Sequence, residues 1–184
     1  VEPQEVELTL ARHPAVAQAA VVAGGEAEDR HLLAYVVPHS ERASGVARLL
    51  RLRPEDLPPD TRLVQLPNGL QVAHQNATMT QFVYREIFED QCYLRHGIDL
   101  PEGAVVIDVG ANIGLFTLFV ALRQPTARIV ALEPIPATFQ VLKFNAALWA
   151  PQAVVENCGL SQTARSALFT HYPDFSGASG GYAD

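Results

Sequence analysis

The chain is poor in residues on which several functions depend. Only one of its 184 residues is a lysine, Lys143, and 20 acidic residues outnumber 13 basic ones, giving a formal net charge of −7. Nucleic-acid binding depends on clustered lysine and arginine facing the phosphate backbone, so we expect no nucleic-acid partner. No apolar run approaches the roughly 18 residues of a membrane helix, so no membrane span is predicted.

Cysteine is also scarce. Cys92 and Cys158 stand far apart and form no C-x-x-C pair, so the sequence predicts free thiols, with neither a zinc site nor a disulfide framework. No metal site is predicted. The first residues, "VEPQEVELTL", carry acids where a signal peptide needs basic residues and a continuous apolar block, so we expect a cytoplasmic protein.

The composition along the chain predicts two units and a linker. Residues 1–38 read as a helix followed by two strands, "AVAQAAVVAG" and "HLLAYVVP". Residues 39–60 combine charge, a short Leu/Arg helical segment and three prolines, which is typical of a linker. Residues 61–184 form the second unit.

The second unit opens with a predicted hairpin and helix. In "TRLVQLPNGLQVAHQN", Asn68-Gly69 predicts a type I′ turn between two strands. The next segment, "TMTQFVYREIFEDQCYL", predicts an amphipathic helix with Thr78 and Gln81 at capping-box spacing. The apolar stripe of this helix comprises Met79, Val83 and Ile87.

Strands and helices then alternate. Strands are predicted at Val105–Val109, Arg128–Glu133 and Ala153–Asn157, and helices at Ile113–Leu122 and Pro136–Trp149. Apolar strands separated by helices of this length indicate an α/β fold, with a parallel sheet covered on both faces.

The turn after the first parallel strand is the strongest site signal. Ligands of open parallel sheets bind beyond the carboxyl ends of the strands, and the turn Asp108–Gly114 occupies that place. Gly110 permits close approach of a ligand, Gly114 permits the next helix to pack tightly on the sheet, and helix amides can receive a carboxylate or phosphate. Glu133 ends the next strand, where a carboxylate can accept both ribose hydroxyl hydrogens.

An acid at the position of Glu133 can bind the ribose of either NAD or S-adenosylmethionine. A dinucleotide fingerprint requires G-x-G-x-x-G, and the third glycine is absent here. The D-x-G-x-x-x-G form instead resembles the first motif of S-adenosylmethionine-dependent methyltransferases, whose sheet is Rossmann-like.

A closer resemblance covers residues 61–184. The segments "VVIDVGANIGLFTLF", "ALEPIPATFQVLKFNAAL" and "ENCGLSQ" resemble the FkbM family of methyltransferases. The flanking "YREIFEDQCYLRHGIDL" and "HYPDFSGASGGYAD" resemble the form of that family found inside nonribosomal peptide synthetases. The family's fold continues through further strands, so the sheet of this chain is expected to be incomplete.

The resemblance implies a set of residues for S-adenosylmethionine. The turn after the first strand would hold the methionine part, the end of the second strand the ribose, and the turn at 157–160 would border the adenine. These residues are Asp108, Gly110, Ala111, Asn112, Gly114, Glu133, Pro134, Asn157 and Gly159.

No catalytic base is assigned. His171 and Tyr172 are chemically capable, but a lone histidine near a strand end is more often structural. Tyr84 and Glu86 either close over the cofactor or serve packing and surface roles.

The first unit has a resemblance of its own. "VEPQEVELTLARHPAVAQAAVVAGG" and "HLLAYVVP" resemble the small C-terminal subdomain of adenylation domains in nonribosomal peptide synthetases. That family's catalytic lysine follows on a later loop, and Lys143 cannot supply it, so adenylation is not expected. A methyltransferase that follows this motif resembles interrupted adenylation domains, which implies neighbouring synthetase domains and a carrier-protein-tethered substrate.

Three functions are therefore open. The first is methyl transfer to an oxygen or nitrogen of a tethered aminoacyl or peptidyl intermediate. The second is a non-catalytic cofactor-binding or connecting module, and the third, disfavoured by the missing glycine, is an NAD-dependent oxidoreductase. We expect the intact polypeptide to extend in both directions.

Overall fold

The molecule contains two compact units, Val1–Leu52 and Arg53–Asp184. The structure is a computed structural model that describes residues 2–25, 29–166, 169–170 and 180–181. His171 and Tyr172 lie outside these residues. No helix among the described residues is long and apolar enough to cross a membrane.

The first unit is a helix packed on a hairpin, as predicted. Helix α1 (Pro3–Ala11) begins at a proline, whose fixed φ suits the first turn. Strands β1 (Val16–Gly24) and β2 (His31–Pro38) pair antiparallel, and helix α2 (Ser44–Leu49) is the predicted short helical segment.

The hairpin of the second unit has a different turn from the predicted one. Strands β3 (Arg62–Gln65) and β4 (Gln71–His74) pair antiparallel. Asn68 keeps a negative φ and only Gly69 is left-handed, at φ 88°, so the type I′ prediction is wrong. The Gly69 amide donates to the Leu66 carbonyl and the Leu66 amide to the Leu70 carbonyl, which closes a three-residue loop. Proline in this loop fixes a negative φ, which suits a type I turn followed by a glycine bulge.

Helix α3 (Ala77–Tyr84) begins earlier than the capping-box prediction required. The Asn76 side chain caps it by accepting a hydrogen bond of 2.9 Å from the Met79 amide. Thr78 therefore lies inside the first turn, and the prediction that it caps the helix is wrong. The helix continues into a π-helical turn, Arg85–Glu89. A 3₁₀ turn follows at Cys92–Leu94.

The three predicted parallel strands and their helices are confirmed. The sheet order is β5-β6-β7, with all pairs parallel. The strands are β5 (Val105–Val109), β6 (Arg128–Leu132) and β7 (Val154–Glu156), and the helices are α4 (Leu115–Arg123) and α5 (Pro136–Trp149). A further antiparallel pair joins β8 (Phe169–Thr170) and β9 (Gly180–Gly181).

Only one face of this sheet is covered by the described residues. Asp108 and Ala131 are buried under α4 and α5, whereas Val105 and Ile107 on the other face are each 61% exposed. The prediction of two covered faces is therefore wrong for this part of the chain. Consecutive right-handed crossovers in one direction place both helices on the same side of a sheet, which explains the difference.

Asn145 connects the hairpin to the sheet's helical layer. This fully buried residue of α5 accepts a 2.7 Å hydrogen bond from the Ala73 amide through Oδ1. Its Nδ2 donates to the carbonyls of Ala73 at 3.0 Å and Ile113 at 2.8 Å. The helix that follows the hairpin is thereby held beside the turn after β5.

Candidate functional site

A cavity of about 400 Å³ lies between helix α3 and the turn after β5. The predicted apolar stripe, Met79, Val83 and Ile87, lines one wall of this cavity. The glycine turn and the first residues of α4 form the other wall. Lining residues include Gln75, Met79, Val83, Glu86, Ile87, Tyr93, Asp108, Gly110, Ala111, Asn112, Ile113 and Phe116.

Asp108 both lines the cavity and is hydrogen-bonded to the first turn of helix α4. The residue is only 8% exposed, and its Oδ2 accepts a 2.7 Å hydrogen bond from the Thr117 hydroxyl. Burial raises the pKa of Asp108, and hydrogen bonds from the Thr117 hydroxyl and amide act in the opposite direction. A carboxylate held in this way is a ready partner for a cationic group in the cavity.

The two glycines of the turn have different surroundings. A Cβ on Gly110, at φ 77°, would meet nothing within 4 Å, so this position leaves the cavity open. A Cβ on Gly114, at φ 93°, would lie 2.8 Å from Leu142 Cδ1. Gly114 therefore permits close packing of α4 against helix α5, and not against the sheet as its place in the turn predicts.

Glu133 is bound by backbone amides of two loops. It is 5% exposed, with Oε1 accepting from the Ile135 amide and Oε2 from the Asn112 amide, each at 2.9 Å. Glu133 is not among the residues that line the cavity. It joins the turn after β5 to the loop after β6.

The remaining predicted residues lie at the ends of β6 and β7. Asn157 Nδ2 donates to the carbonyls of Glu133 at 2.8 Å and Pro134 at 3.1 Å, so it fixes the loop after β6. Gly159 is exposed. The structure thus brings Asp108, Gly110, Ala111 and Asn112 together at the cavity and places Glu133, Pro134 and Asn157 in an adjoining cluster.

Sequence reasoning missed an aromatic wall. Tyr93 and Phe116 line the cavity with ring centroids 4.6 Å apart and planes at 47°. Burial raises the pKa of Tyr93, as do the nearby Cys92, Asp108 and Glu86 groups, so its phenol stays protonated. Phe116 follows the glycine turn closely in the sequence, and this position could have predicted that it lines the cavity. Nothing in the sequence indicated that Tyr93 would lie opposite.

Tyr84 and Glu86 have different roles. Tyr84 is buried and stacks on Phe88, with ring centroids 4.8 Å apart, which is a packing contact. Glu86 lines the cavity on the wall opposite the glycine turn. Asp108 and Glu86 supply acidic groups, and among the described residues no lysine, arginine or histidine lines this cavity.

Gln75 adds an unused hydrogen-bond acceptor to the cavity wall. Its Oε1 is buried and has no hydrogen-bond partner among the described residues. A buried polar atom without a partner costs free energy, and a donor on a bound ligand would recover it. Acids and a free acceptor favour a ligand with positive charge and N–H or O–H donors.

Comparison with known proteins identifies the first segment. Residues 5–61 match the AMP-binding enzyme C-terminal domain, which confirms the adenylation-subdomain resemblance. This match runs through residues 39–60, and the two compact units divide after Leu52.

Relatives cover the rest of the chain. AMB antimetabolite synthetase AmbE of Pseudomonas aeruginosa is 41% identical over 100% of this chain and 8% of its own length. The 31-O-demethyl-FK506 methyltransferase FkbM of Streptomyces tacrolimicus is 48% identical over 66% of this chain and 46% of its own length. Methyltransferase sdnD of Sordaria araneosa is 42% identical over 54% of this chain and 38% of its own length.

This chain thus spans less than half the length of each of these three relatives. The crystal structure of P. horikoshii TYW2 in complex with MeSAdo matches 70% of the chain and 52% of its own, at a TM-score of 0.42 and 22% identity. Residues 5–61 are therefore similar to the AMP-binding enzyme C-terminal domain, and a segment of 66% of the chain is similar to the methyltransferase FkbM.

Proposed function

We propose that the second unit binds S-adenosylmethionine at this cavity as part of a methyltransferase. The observation that carries the proposal is the acidic, open cavity at the carboxyl end of β5, in a segment 48% identical to a methyltransferase. S-adenosylmethionine carries a sulfonium and an ammonium, so a cavity whose described lining residues include acids and no cationic side chain suits its charge.

The residues of the cavity fit the methionine part of this cofactor. Asp108 and the free Gln75 oxygen would accept hydrogens from its ammonium group. The first amides of a helix lack intrahelical acceptors, and those of Leu115 and Phe116 would receive its carboxylate. Gly110 would leave the space that the ligand fills.

Glu133 would hold the ribose beside this cavity. Its two oxygens accept the backbone amides of Asn112 and Ile135, which hold the carboxylate in one orientation. The ribose hydroxyls would donate to this carboxylate, while Pro134, Asn157 and Gly159 would border the adenine. The backbone bonds fix the carboxylate before the ligand arrives, which reduces the ordering cost of binding.

We infer that the reaction is methyl transfer to an oxygen or nitrogen of a carrier-protein-tethered aminoacyl or peptidyl intermediate in nonribosomal peptide biosynthesis. Its support is the AMP-binding segment beside the methyltransferase segment, an arrangement that AmbE matches over the whole chain. When bound, the cofactor supplies a methyl group already activated on sulfonium sulfur. The protein's part is to orient donor and acceptor and exclude water.

The same proposal includes the organisation of the chain. We assign residues 1–38 to the adenylation subdomain, 39–60 to a linker and 61–184 to the methyltransferase, in a cytoplasmic synthetase. The single lysine of the printed sequence, Lys143, lies on α5, so residues 1–38 themselves contain no lysine.

Calorimetric titration of S-adenosylmethionine into the full chain tests the proposal. We expect micromolar binding that is at least 10-fold weaker in Asp108→Asn, because the variant removes a buried negative charge that would pair with the cation. Glu156→Gln, an exposed acid at the end of β7, is the matched control and should bind as the wild type does. Absence of binding by the wild type would overturn the proposal.

Two further readouts separate the alternative functions. Binding without methyl transfer to any tethered acceptor, in the intact polypeptide, would favour a non-catalytic module. Enhanced NADH fluorescence on mixing would favour the oxidoreductase.

A further inference from the structure

We propose that Tyr93 and Phe116 form an aromatic wall that recognises the positive charge of the donor's sulfonium, so that the cavity favours the charged donor over the neutral thioether product. This inference rests on the proposed function and extends it to the discrimination between S-adenosylmethionine and S-adenosylhomocysteine. These two ligands differ by one methyl group and one unit of charge at sulfur.

The first observation is the open face of Tyr93. The residue is 55% exposed although it lines the cavity, and Phe116 packs against its ring at a centroid distance of 4.6 Å. Phe116 supports the ring from one side, so the remaining ring surface is available to a ligand. Aromatic faces carry negative electrostatic potential and attract sulfonium and ammonium groups.

The second observation is the charge around this ring. The carboxylates of Asp108 and Glu86 lie near enough to act on the Tyr93 hydroxyl. Both also line the cavity, and no cationic side chain lines it in the part of the chain that the structure describes. The phenol is therefore neutral, and the field at the ring comes from acids on both walls, which favours a cation there.

A competing effect comes from helix α4. Its N-terminal end, at Leu115 and Phe116, carries partial positive charge that opposes a cation. Asp108 is hydrogen-bonded to Thr117 in the same turn, and its negative charge offsets this effect. The net field at the aromatic wall is therefore set by the acids.

The test measures two dissociation constants for the full chain, one for S-adenosylmethionine and one for S-adenosylhomocysteine. We expect the wild type to bind the donor more tightly. The informative quantity is the dissociation constant of S-adenosylhomocysteine divided by that of S-adenosylmethionine. Tyr93→Leu should reduce this ratio by about 2- to 30-fold, the range of a cation–π contact. Tyr93→Phe keeps the ring and should keep the ratio within about 2-fold. Tyr35→Leu, an exposed tyrosine of the first unit, is the control.

The ratio distinguishes recognition of charge from a structural effect. If Tyr93→Leu weakens the binding of both ligands by the same factor, the ring supports the cavity without recognising charge, and the inference is wrong. If Tyr93→Phe reduces the ratio as much as Tyr93→Leu does, the inference is also wrong, because the hydroxyl and not the ring would be responsible. A wild type that binds neither ligand refutes the proposed function itself.

Discussion

The carboxyl ends of β5 and β6 carry the same chemical group in different settings. Asp108 and Glu133 are both buried acids at the ends of neighbouring parallel strands. Asp108 faces the cavity and has its pKa raised by burial, whereas Glu133 accepts two backbone amides and stands outside the cavity lining. Asp108 thus faces the cavity directly, whereas Glu133 also holds together the two loops that shape the site.

The largest effect is expected when the Glu133 carboxylate is removed. Glu133→Ala removes the acceptor of the Asn112 and Ile135 amide hydrogen bonds, which should lower the free energy of unfolding by about 3 kcal/mol or more. Trp149, the single tryptophan, lies in this unit and provides the fluorescence signal for urea unfolding. Glu133→Gln keeps one acceptor oxygen, so its free energy of unfolding should fall by less than that of Glu133→Ala.

Glu156→Ala is the matched control for this variant. Glu156 ends the third strand and is exposed, so its removal should change the unfolding free energy by less than about 0.5 kcal/mol. An equal loss in both variants would show that Glu133 has no special structural part.

The next effect separates the two glycines of the turn after β5. Gly114→Ala places a Cβ 2.8 Å from Leu142 Cδ1 at a left-handed backbone, and should destabilise the fold by about 2–4 kcal/mol. Gly110→Ala has the backbone strain without the clash and should cost about 1 kcal/mol. Equal losses in urea unfolding would contradict the role assigned to Leu142.

A smaller and pH-dependent effect is expected from Asp108. Because its folded pKa is raised, its contribution to stability is present below its ordinary value of 3.8 and is lost as pH rises through the raised value. The unfolding free energy of the wild type relative to Asp108→Asn should therefore fall with increasing pH across this window. Donor affinity should rise over the same window as the carboxylate ionises. A stability difference that rises with pH would contradict the raised pKa.

The smallest effect concerns the end of β7. Asn157→Ala removes two donor contacts to the loop after β6 from a residue that is itself exposed, and should cost about 0.5–1 kcal/mol. The measurement is again urea unfolding followed by Trp149 fluorescence. If Asn157→Ala lowered the free energy of unfolding as much as Glu133→Ala, Asn157 and not Glu133 would be the main residue that stabilises this loop.

Elements set by local chemistry could be predicted from the sequence. The period of apolar residues located the three parallel strands and both helices between them within two residues. The glycine spacing and the acid at position 108 located the turn that lines the cavity. The same patterns failed at the hairpin turn, because Pro67 before Asn68-Gly69 favours a three-residue loop over type I′.

The division of roles between the two acids was not available from the sequence. An acid at a strand end has the same local pattern whether it meets a cavity or two backbone amides, and only the positions of Asn112 and Ile135 decide between them. Tyr93 likewise reaches the cavity because the π-helical and 3₁₀ turns after α3 return the chain to Phe116.

The sequence by itself determined the parallel strands, the helices between them and the position of the glycine turn, because apolar periodicity and backbone freedom are local properties. The tertiary structure alone decided which acid faces the cavity, which aromatic ring stands opposite and which face of the sheet is covered. Each of these depends on contacts between residues distant in the chain, and no local pattern encodes them.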